Sequence, residues 1–109
     1  MKGVSSPTRR AMVQTGTYTG DGENDRLIDI GIDLLSKNGS WVVVKALEAS
    51  PEVQRIEYAQ GDFTMHTTAA VDFAFGIRYF DTLGFGVGNT PEANADGYFY
   101  RWIAIWEEP

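Results

Sequence analysis

Alternating apolar and polar side chains predict that most of this chain is built from short β-strands. The strongest signal lies in residues 98–107, where large side chains occupy both faces of a period-two pattern. One face carries an aromatic stripe, which consists of Tyr98, Tyr100, Trp102, Ala104 and Trp106. The other face carries Phe99, Arg101, Ile103 and Ile105. Successive side chains of a strand point in opposite directions, so a strand of this composition needs cover on both faces.

Earlier segments carry weaker versions of the same signal. Residues 26–32 alternate between isoleucines on one face and Leu27 and Asp29 on the other, which indicates a half-buried strand. Residues 41–47 are β-branched and almost continuous, which is typical of a central strand. Further strands are predicted at 14–19, 53–58, 63–68, 77–80 and 83–88. Residues 68–75 fit either a short helix or a strand, and both interpretations stay open.

Turn-forming residues separate these segments. Gly, Asn, Asp, Ser and Pro cluster at 20–22, 36–40, 50–52, 60–62 and 89–97. About seven or eight short strands divided in this way are typical of a sandwich or a barrel. We therefore predict an all-β fold with a single β-sandwich or jelly-roll-like domain over residues 14–109. A length of 109 residues suits one domain.

The first 13 residues differ from the rest of the chain. They show no period of two or of 3.6, and glycine, serine and proline interrupt any regular element, so we predict an extended N-terminal arm over residues 1–13. The basic side chains at this end are Lys2, Arg9 and Arg10. Residues 16–109 hold 6 basic and 15 acidic side chains, a net charge of −9. A basic arm on an acidic body favours a protein partner over the phosphate backbone of a nucleic acid.

Composition argues against several classes of protein. A chain without cysteine forms no disulfide, no thiolate metal site and no cysteine nucleophile. No apolar run approaches the roughly 20 residues of a membrane helix. The N-terminal residues also lack the apolar segment of a signal peptide. We expect a protein that is made in the cytoplasm and binds neither membrane nor nucleic acid.

Three features suggest ligand chemistry, and each has a simpler explanation. His66 is the only histidine, whereas catalysis needs a neighbouring nucleophile or carboxylate and zinc needs three or four ligands. Residues 20–25 cluster oxygen atoms as Ca²⁺ requires, but their spacing is not that of an EF-hand loop, and a hairpin turn explains them. Gly84, Gly86 and Gly88 alternate within a strand. Close packing of a backbone or an aromatic ring therefore explains them better than a bound nucleotide does.

The aromatic stripe has three possible roles at this stage. It can fill the core, form a subunit interface or stack against a sugar or base, and all three stay open. Tyrosine, tryptophan and arginine are also the side chains that carry binding energy at interfaces. The candidate interface residues are Lys2, Arg9, Arg10, Tyr98, Tyr100, Trp102 and Trp106. We predict no catalytic residue, no bound metal and no cofactor, and we expect the chain to act by binding or assembly.

Several short motifs, taken in order, resemble a widespread class of structural domains in tailed bacteriophages. The opening motifs are residues 16–22 (GTYTGDG), 26–31 (RLIDIG) and 42–45 (VVVK). The closing motifs are residues 84–88 (GFGVG), 94–97 (NADG) and 100–104 (YRWIA). The match covers the first third of the domain and its last quarter, and residues 48–80 match nothing in the class. The resemblance implies a β-sandwich in a phage particle and transfers no catalytic residue.

The resemblance, the small size and the arm together define an expected function. We expect a virion structural protein, synthesised in the host cytoplasm, that binds and stabilises the head shell as a capsid decoration (cement) protein. Its expected partners are the major capsid protein or other virion proteins, and further copies of itself in the homotrimer that the resemblance implies. The alternative is a receptor- or glycan-binding module of a tail fibre, with the aromatic stripe exposed. An enzyme would need a convergent set of acid and base groups, which the sequence does not display.

Overall fold

The computed structural model describes residues 10–47, 53–56, 64–66, 72–73 and 76–108. Within these ranges the chain forms nine strands and no helix, which confirms the all-β prediction. The strands are β1 (Arg10–Thr19), β2 (Arg26–Asp29), β3 (Asn38–Ala46), β4 (Val53–Ile56), β5 (Thr64–His66), β6 (Asp72–Phe73), β7 (Ile77–Phe80), β8 (Gly84–Val87) and β9 (Phe99–Glu108).

The strands form two antiparallel sheets that pack against each other. The larger sheet has six strands in the order β1-β9-β3-β4-β5-β6, and the smaller has three in the order β2-β8-β7. β9 lies between β1 and β3 and pairs with β1 along its whole length. The sheets meet where the Phe85 ring lies edge-on to Trp102, with ring centroids 6.0 Å apart. They meet again where Arg55 Nη1 donates to the Ile77 carbonyl at 3.3 Å.

The core lies between the two sheets. β3 and β9 contribute most, because alternate residues of both strands are buried while their neighbours are half-buried or exposed. The buried apolar residues are Tyr18, Ile28, Leu34, Val42, Val44, Ala46, Val53, Ile77, Phe80, Phe85, Val87, Ala93, Tyr100, Trp102, Ala104 and Trp106. Burying one large apolar side chain stabilises a fold by about 1.5–3 kcal/mol, so this alternation determines which face of each strand turns inward.

The turn before β3 lies earlier in the chain than the sequence pattern suggests. Asn38 and Gly39 belong to the turn-forming cluster at residues 36–40, but they open β3 and lie beside the end of β9. The register with β9 shifts between Asn38 and Trp41, and Gly39 has a φ of +65°, so these residues form an irregular strand start. The chain reverses at residues 33–36 instead, where the Ser36 N–H donates to Asp33 Oδ1 at 3.0 Å.

β1 begins within the segment predicted to be an arm. Residues 10–13 pair in register with β9, and Met12 packs against the core. β1 therefore begins four residues before the predicted boundary at residue 14. The pattern was misleading because Met12 and the exposed Val13 face opposite sides of the sheet, so the sequence shows no alternation there.

Some predictions fall on residues that lie outside the described ranges. Lys2 and Arg9 are in the segment that precedes β1, and of residues 68–75 only residues 72–73 are described, as β6. The main chain of His66 belongs to β5, but its side chain lies outside what the structure describes. Within the described ranges, no helix has the length and apolar character that crossing a membrane requires.

Candidate binding surface

The aromatic stripe of β9 lies inside the sandwich. Tyr100, Trp102 and Trp106 are 0%, 5% and 3% exposed, and Tyr98 is half-buried and packs against the same core. These three side chains, which the sequence suggested as interface residues, are therefore enclosed within one chain. Of the three roles that the sequence left open, the structure selects core packing.

The opposite face of the large sheet is exposed and largely apolar. In one row across the strands, Ile105 lies between Val13 of β1 and Trp41 of β3. In the next row, Ile103 lies opposite Val43. Val13, Trp41 and Ile103 are 65%, 41% and 37% exposed. We call this surface, formed by the odd-numbered residues of β1, β9 and β3, the outer face.

Further along the strands the outer face becomes basic. Arg101 lies in register with Thr17 of β1 and with Lys45 of β3. The Arg101 side chain is exposed, and Lys45 Nζ donates to the Ala46 carbonyl at 2.6 Å. Phe99 follows at the start of β9 and is 39% exposed. The outer face thus joins an apolar region to a pair of cations, in a chain whose net charge is −6.

Most of the described acidic side chains lie outside the strands of the large sheet. Those in the small sheet or in the loops between strands are Asp21, Glu23, Asp25, Asp29, Asp33, Asp81, Glu92 and Asp96. Glu107 and Glu108 lie at the end of β9, where Lys37 Nζ contacts Glu108 at 3.3 Å and Arg10 lies opposite Glu108 in register. Among the described residues, the middle of the outer face therefore carries Arg101 and Lys45 and no carboxylate, which favours an acidic partner.

A polar junction joins two distant segments of the sequence beside the core. The buried Asn94 donates from Nδ2 to Asp21 Oδ1 at 2.8 Å and to the Glu23 carbonyl at 3.1 Å. Its Oδ1 accepts from the Asp21 main-chain N–H at 3.1 Å and from Arg26 Nη1 at 3.2 Å. These four bonds use both donors and both lone pairs of the amide, so Asn94 has no capacity left for a ligand.

Two tyrosines anchor this junction to the core. The Tyr18 and Tyr100 rings stack with centroids 5.1 Å apart, and their hydroxyls donate to the Ala93 and Pro91 carbonyls, each at 2.6 Å. The Tyr100 hydroxyl also accepts from the Ala95 N–H at 2.7 Å. Burial raises the pKa of Tyr18, so its hydroxyl keeps its proton and remains a donor. Both tyrosines act as structural supports.

The motifs considered for ligand binding have structural roles. Asp21 lies in the turn before β2, and its Oδ1 accepts from the Glu23 N–H at 2.9 Å as well as from Asn94. In the part of the chain that the structure describes, no three His, Cys, Asp or Glu side chains are grouped as a metal site requires. Gly86 lies opposite Tyr79, and a Cβ at Gly86 would overlap the Tyr79 ring. This glycine therefore allows an aromatic ring to pack against β8, as predicted.

Comparison with known proteins gives no indication of function, so the outer face is the main guide to it. No protein-family model, no curated protein and no solved structure matches this chain. The exposed residues Val13, Trp41 and Ile103 were not among the predicted site residues. The signal that could have found them is the second apolar face of β9, because the single core of a small domain covers one face of that strand and leaves the other.

Proposed function

We propose that this chain is a structural protein of a tailed-bacteriophage particle, and that it binds the head shell as a decoration protein through its outer face. The observation that carries the proposal is an exposed apolar sheet face on a domain that also has a buried core between its two sheets. Contiguous apolar surface on a folded domain marks sites of interaction with other proteins. The proposed activity is binding and involves no catalysis.

The outer face has a composition suited to a protein partner. Trp41 and Ile103 supply apolar area, and Arg101 supplies a planar cation that can pair with a carboxylate. Trp41 Nε1 donates to Gln54 Oε1 at 2.9 Å, so β4 holds the ring in place. Small ligands bind in concave sites, whereas a sheet of paired strands presents a broad surface that fits a shell subunit better.

The resemblance to phage structural domains supports the choice of partner. Its opening motif at 16–22 and its closing motif at 94–97 meet at one end of the sandwich. There the Gly20 N–H donates to the Tyr98 carbonyl at 2.7 Å, and the Gly97 N–H donates to the Gly20 carbonyl at 3.0 Å. Two motifs that bond to each other form one structural unit, so their joint occurrence in one chain carries more weight than either motif alone.

The tail-fibre alternative loses the observation that suggested it. A receptor- or glycan-binding role depended on an exposed aromatic stripe, whereas Tyr100, Trp102 and Trp106 are buried. That the chain forms a homotrimer stays a prediction, and so does its binding to the major capsid protein.

The location of the chain in the particle tests the proposal. Particles of the phage that encodes the chain would be purified and separated into heads and tails, and each fraction probed with an antibody against the chain. We expect the antibody to label the heads. Label confined to tails would favour the tail-fibre alternative, and absence from both fractions would refute a virion role.

A substitution on the outer face tests the proposed surface. Ile103→Asp places a carboxylate in an apolar row, so it should weaken binding to heads lacking the protein by more than about tenfold, while the domain stays folded. Leu27→Asp is the matched control, because Leu27 is also 37% exposed but lies in the small sheet. Co-sedimentation with heads measures both variants, and equal loss of binding in the two would contradict the assignment.

A further inference from the structure

The hydrogen-bond pattern of β1 determines which of its main-chain groups face outward. Just beyond β1, the Gly20 N–H donates to the Tyr98 carbonyl at 2.7 Å, and β1 and β9 keep one register from end to end. Bonding residues alternate in an antiparallel pair, so the even-numbered residues of β1 bond to β9. Their odd-numbered neighbours direct N–H and C=O groups away from the sheet. These neighbours are Ala11, Val13, Thr15 and Thr17.

A contact of Arg26 independently supports the conclusion that the odd-numbered residues of β1 direct their main-chain groups away from β9. Thr19 is the last odd-numbered residue of β1, and its carbonyl accepts from Arg26 Nη1 at 2.6 Å. Arg26 belongs to β2, in the other sheet, so the Thr19 carbonyl points away from β9 as the pattern requires.

Among the described strands, β1 lies at the edge of its sheet, and its own residues lack the usual protection. Among the strands that the structure describes, it pairs only with β9. Natural sheets protect an edge with a proline, a bulge or a charge in the middle of the strand. β1 contains no proline, its register with β9 is unbroken, and its one charged residue is Arg10 at its start. A regular ten-residue edge of this kind favours the addition of another strand.

We propose that this edge pairs with the same edge of a second copy of the chain, β1 against β1, so that the two large sheets join. A strand is the partner that matches a row of alternating N–H and C=O groups, and β1 of a second copy supplies that row. A twofold axis lets one surface serve both copies. β1 carries no acidic side chain, so two chains of net charge −6 meet where neither presents a carboxylate.

Backbone geometry restricts the register of the pairing. Bonds form between outward-facing residues, so an odd-numbered residue must lie opposite an odd-numbered residue of the other copy. If the twofold axis passes between the Gln14 residues of the two copies, Val13 lies opposite Thr15 of the second copy, and Ala11 lies opposite Thr17. In this register, every outward N–H and C=O of these four residues has a partner.

The same register extends the outer face across the interface. Odd-numbered side chains all lie on the outer face, so the outer faces of the two copies become neighbours on the same side of the joined sheet. Val13, which is 65% exposed in the single chain, then lies beside a second strand that covers part of it. The pairing uses the edge of β1 and does not depend on the proposed decoration role.

Sedimentation of the full chain tests the pairing. We expect a species of twice 12.1 kDa at high concentration that dissociates on dilution. Thr15→Pro removes one outward N–H and leaves the bonds to β9 in place, so it should give a folded chain that associates at least about tenfold more weakly. Thr15→Ala keeps the N–H and should associate like the wild type.

Amide hydrogen exchange of the wild type at high and low concentration locates the contact without a substitution. The Val13 and Thr17 amides should exchange slowly in the dimer and fast in the monomer, while the Gln14 amide, bonded to β9, stays protected in both. A chain that remains monomeric at high concentration would overturn the proposal. A mass of three copies would also overturn it and would favour the homotrimer that the phage resemblance implies. Slow exchange of the Val13 amide in a monomer would also overturn it, because the chain itself would then cover the edge.

Discussion

Asn94 joins two turns that are far apart in the sequence. Its amide bonds to Asp21, 73 residues earlier, and also reaches Glu23 and Arg26. Leaving a buried polar group without its bond costs about 1–3 kcal/mol, so the site demands a side chain with two donors and an acceptor in the right places. The conformation of the acidic turn before β2 is therefore stabilised by the loop before β9 as well as by its own residues.

Asp21 should make the stability of the domain depend on pH in the acid range. The Glu23 N–H, followed by Asn94 and Arg26, holds the pKa of Asp21 below its usual value of 3.8. A carboxyl group with a lowered folded-state pKa stabilises the fold above its unfolded pKa, and this contribution is lost as the pH falls through the folded pKa. The melting temperature of the wild type should therefore decrease on acidification below about pH 4, and more steeply than that of Asp21→Asn.

Thermal unfolding from about pH 7 to about pH 2 measures this difference. Asp21→Asn keeps an acceptor oxygen for the Glu23 N–H but does not titrate. Asp96→Asn removes an exposed carboxylate from the adjoining loop and serves as the control, whose profile should follow that of the wild type. Parallel profiles for the wild type and Asp21→Asn would show that the charge on Asp21 does not contribute to stability.

At the scale of elements, β9 has a different role on each of its faces. Its even-numbered residues Tyr100, Trp102, Ala104 and Trp106 fill the core, and its odd-numbered residues form the middle of the outer face. Both edges of the strand are paired, with β1 and β3. β9 therefore holds the core together and also presents the candidate binding surface, which explains why apolar side chains occur on both of its faces.

Neighbouring positions on β9 should respond differently to truncation. Trp102→Ala removes a ring that is 5% exposed and packs against Phe85 and Gly16, so the free energy of unfolding should decrease by about 3–5 kcal/mol. Ile103→Ala removes a side chain that is 37% exposed, so the decrease should be about 1 kcal/mol or less. Denaturant unfolding measures both, and similar losses would mean that the two faces are not distinct in solution.

At the scale of the whole molecule, charge and apolar surface are arranged together. Of the described acidic side chains, most lie in the loops between strands, while Arg101 and Lys45 lie on the outer face. Attraction between such a face and an acidic shell surface would raise the association rate more than the final affinity. The proposed edge pairing uses a different part of the molecule, so a dimer could present two outer faces to a shell at once.

Arg101→Glu should slow association with the heads and reduce its dependence on salt. The substitution replaces the exposed cation of the outer face with an anion, and salt screens what attraction remains. Arg78→Glu changes the net charge by the same amount in the small sheet and should slow association less. Association rates at two salt concentrations measure the effect. Equal slowing by both variants would show that total charge, and not the outer face, controls the encounter.

Local sequence patterns were sufficient to predict the fold class and the strongest strand. The alternation in residues 98–107 and the turn clusters depend on neighbouring residues alone, and the structure confirms an all-β chain with β9 over Phe99–Glu108. The same alternation also predicted apolar side chains on both faces of β9, of which the chain itself buries one. Asn38 and Gly39 resemble a hairpin turn by composition, but their position beside the end of β9 places them in a strand.

What only the tertiary structure decided is which apolar surface is buried and which remains free. A period of two divides β9 into two faces, but it does not say which face meets the second sheet. That choice depends on contacts with β8, whose Phe85 packs against Trp102 from 17 positions earlier in the chain. The start of β1 was hidden for the same reason, because its residues become strand through pairing with β9 at the opposite end of the sequence. The sequence by itself determined the fold class and the two faces of the strongest strand, and long-range pairing determined the core, the outer face and the position of β1 at the edge of the described sheet.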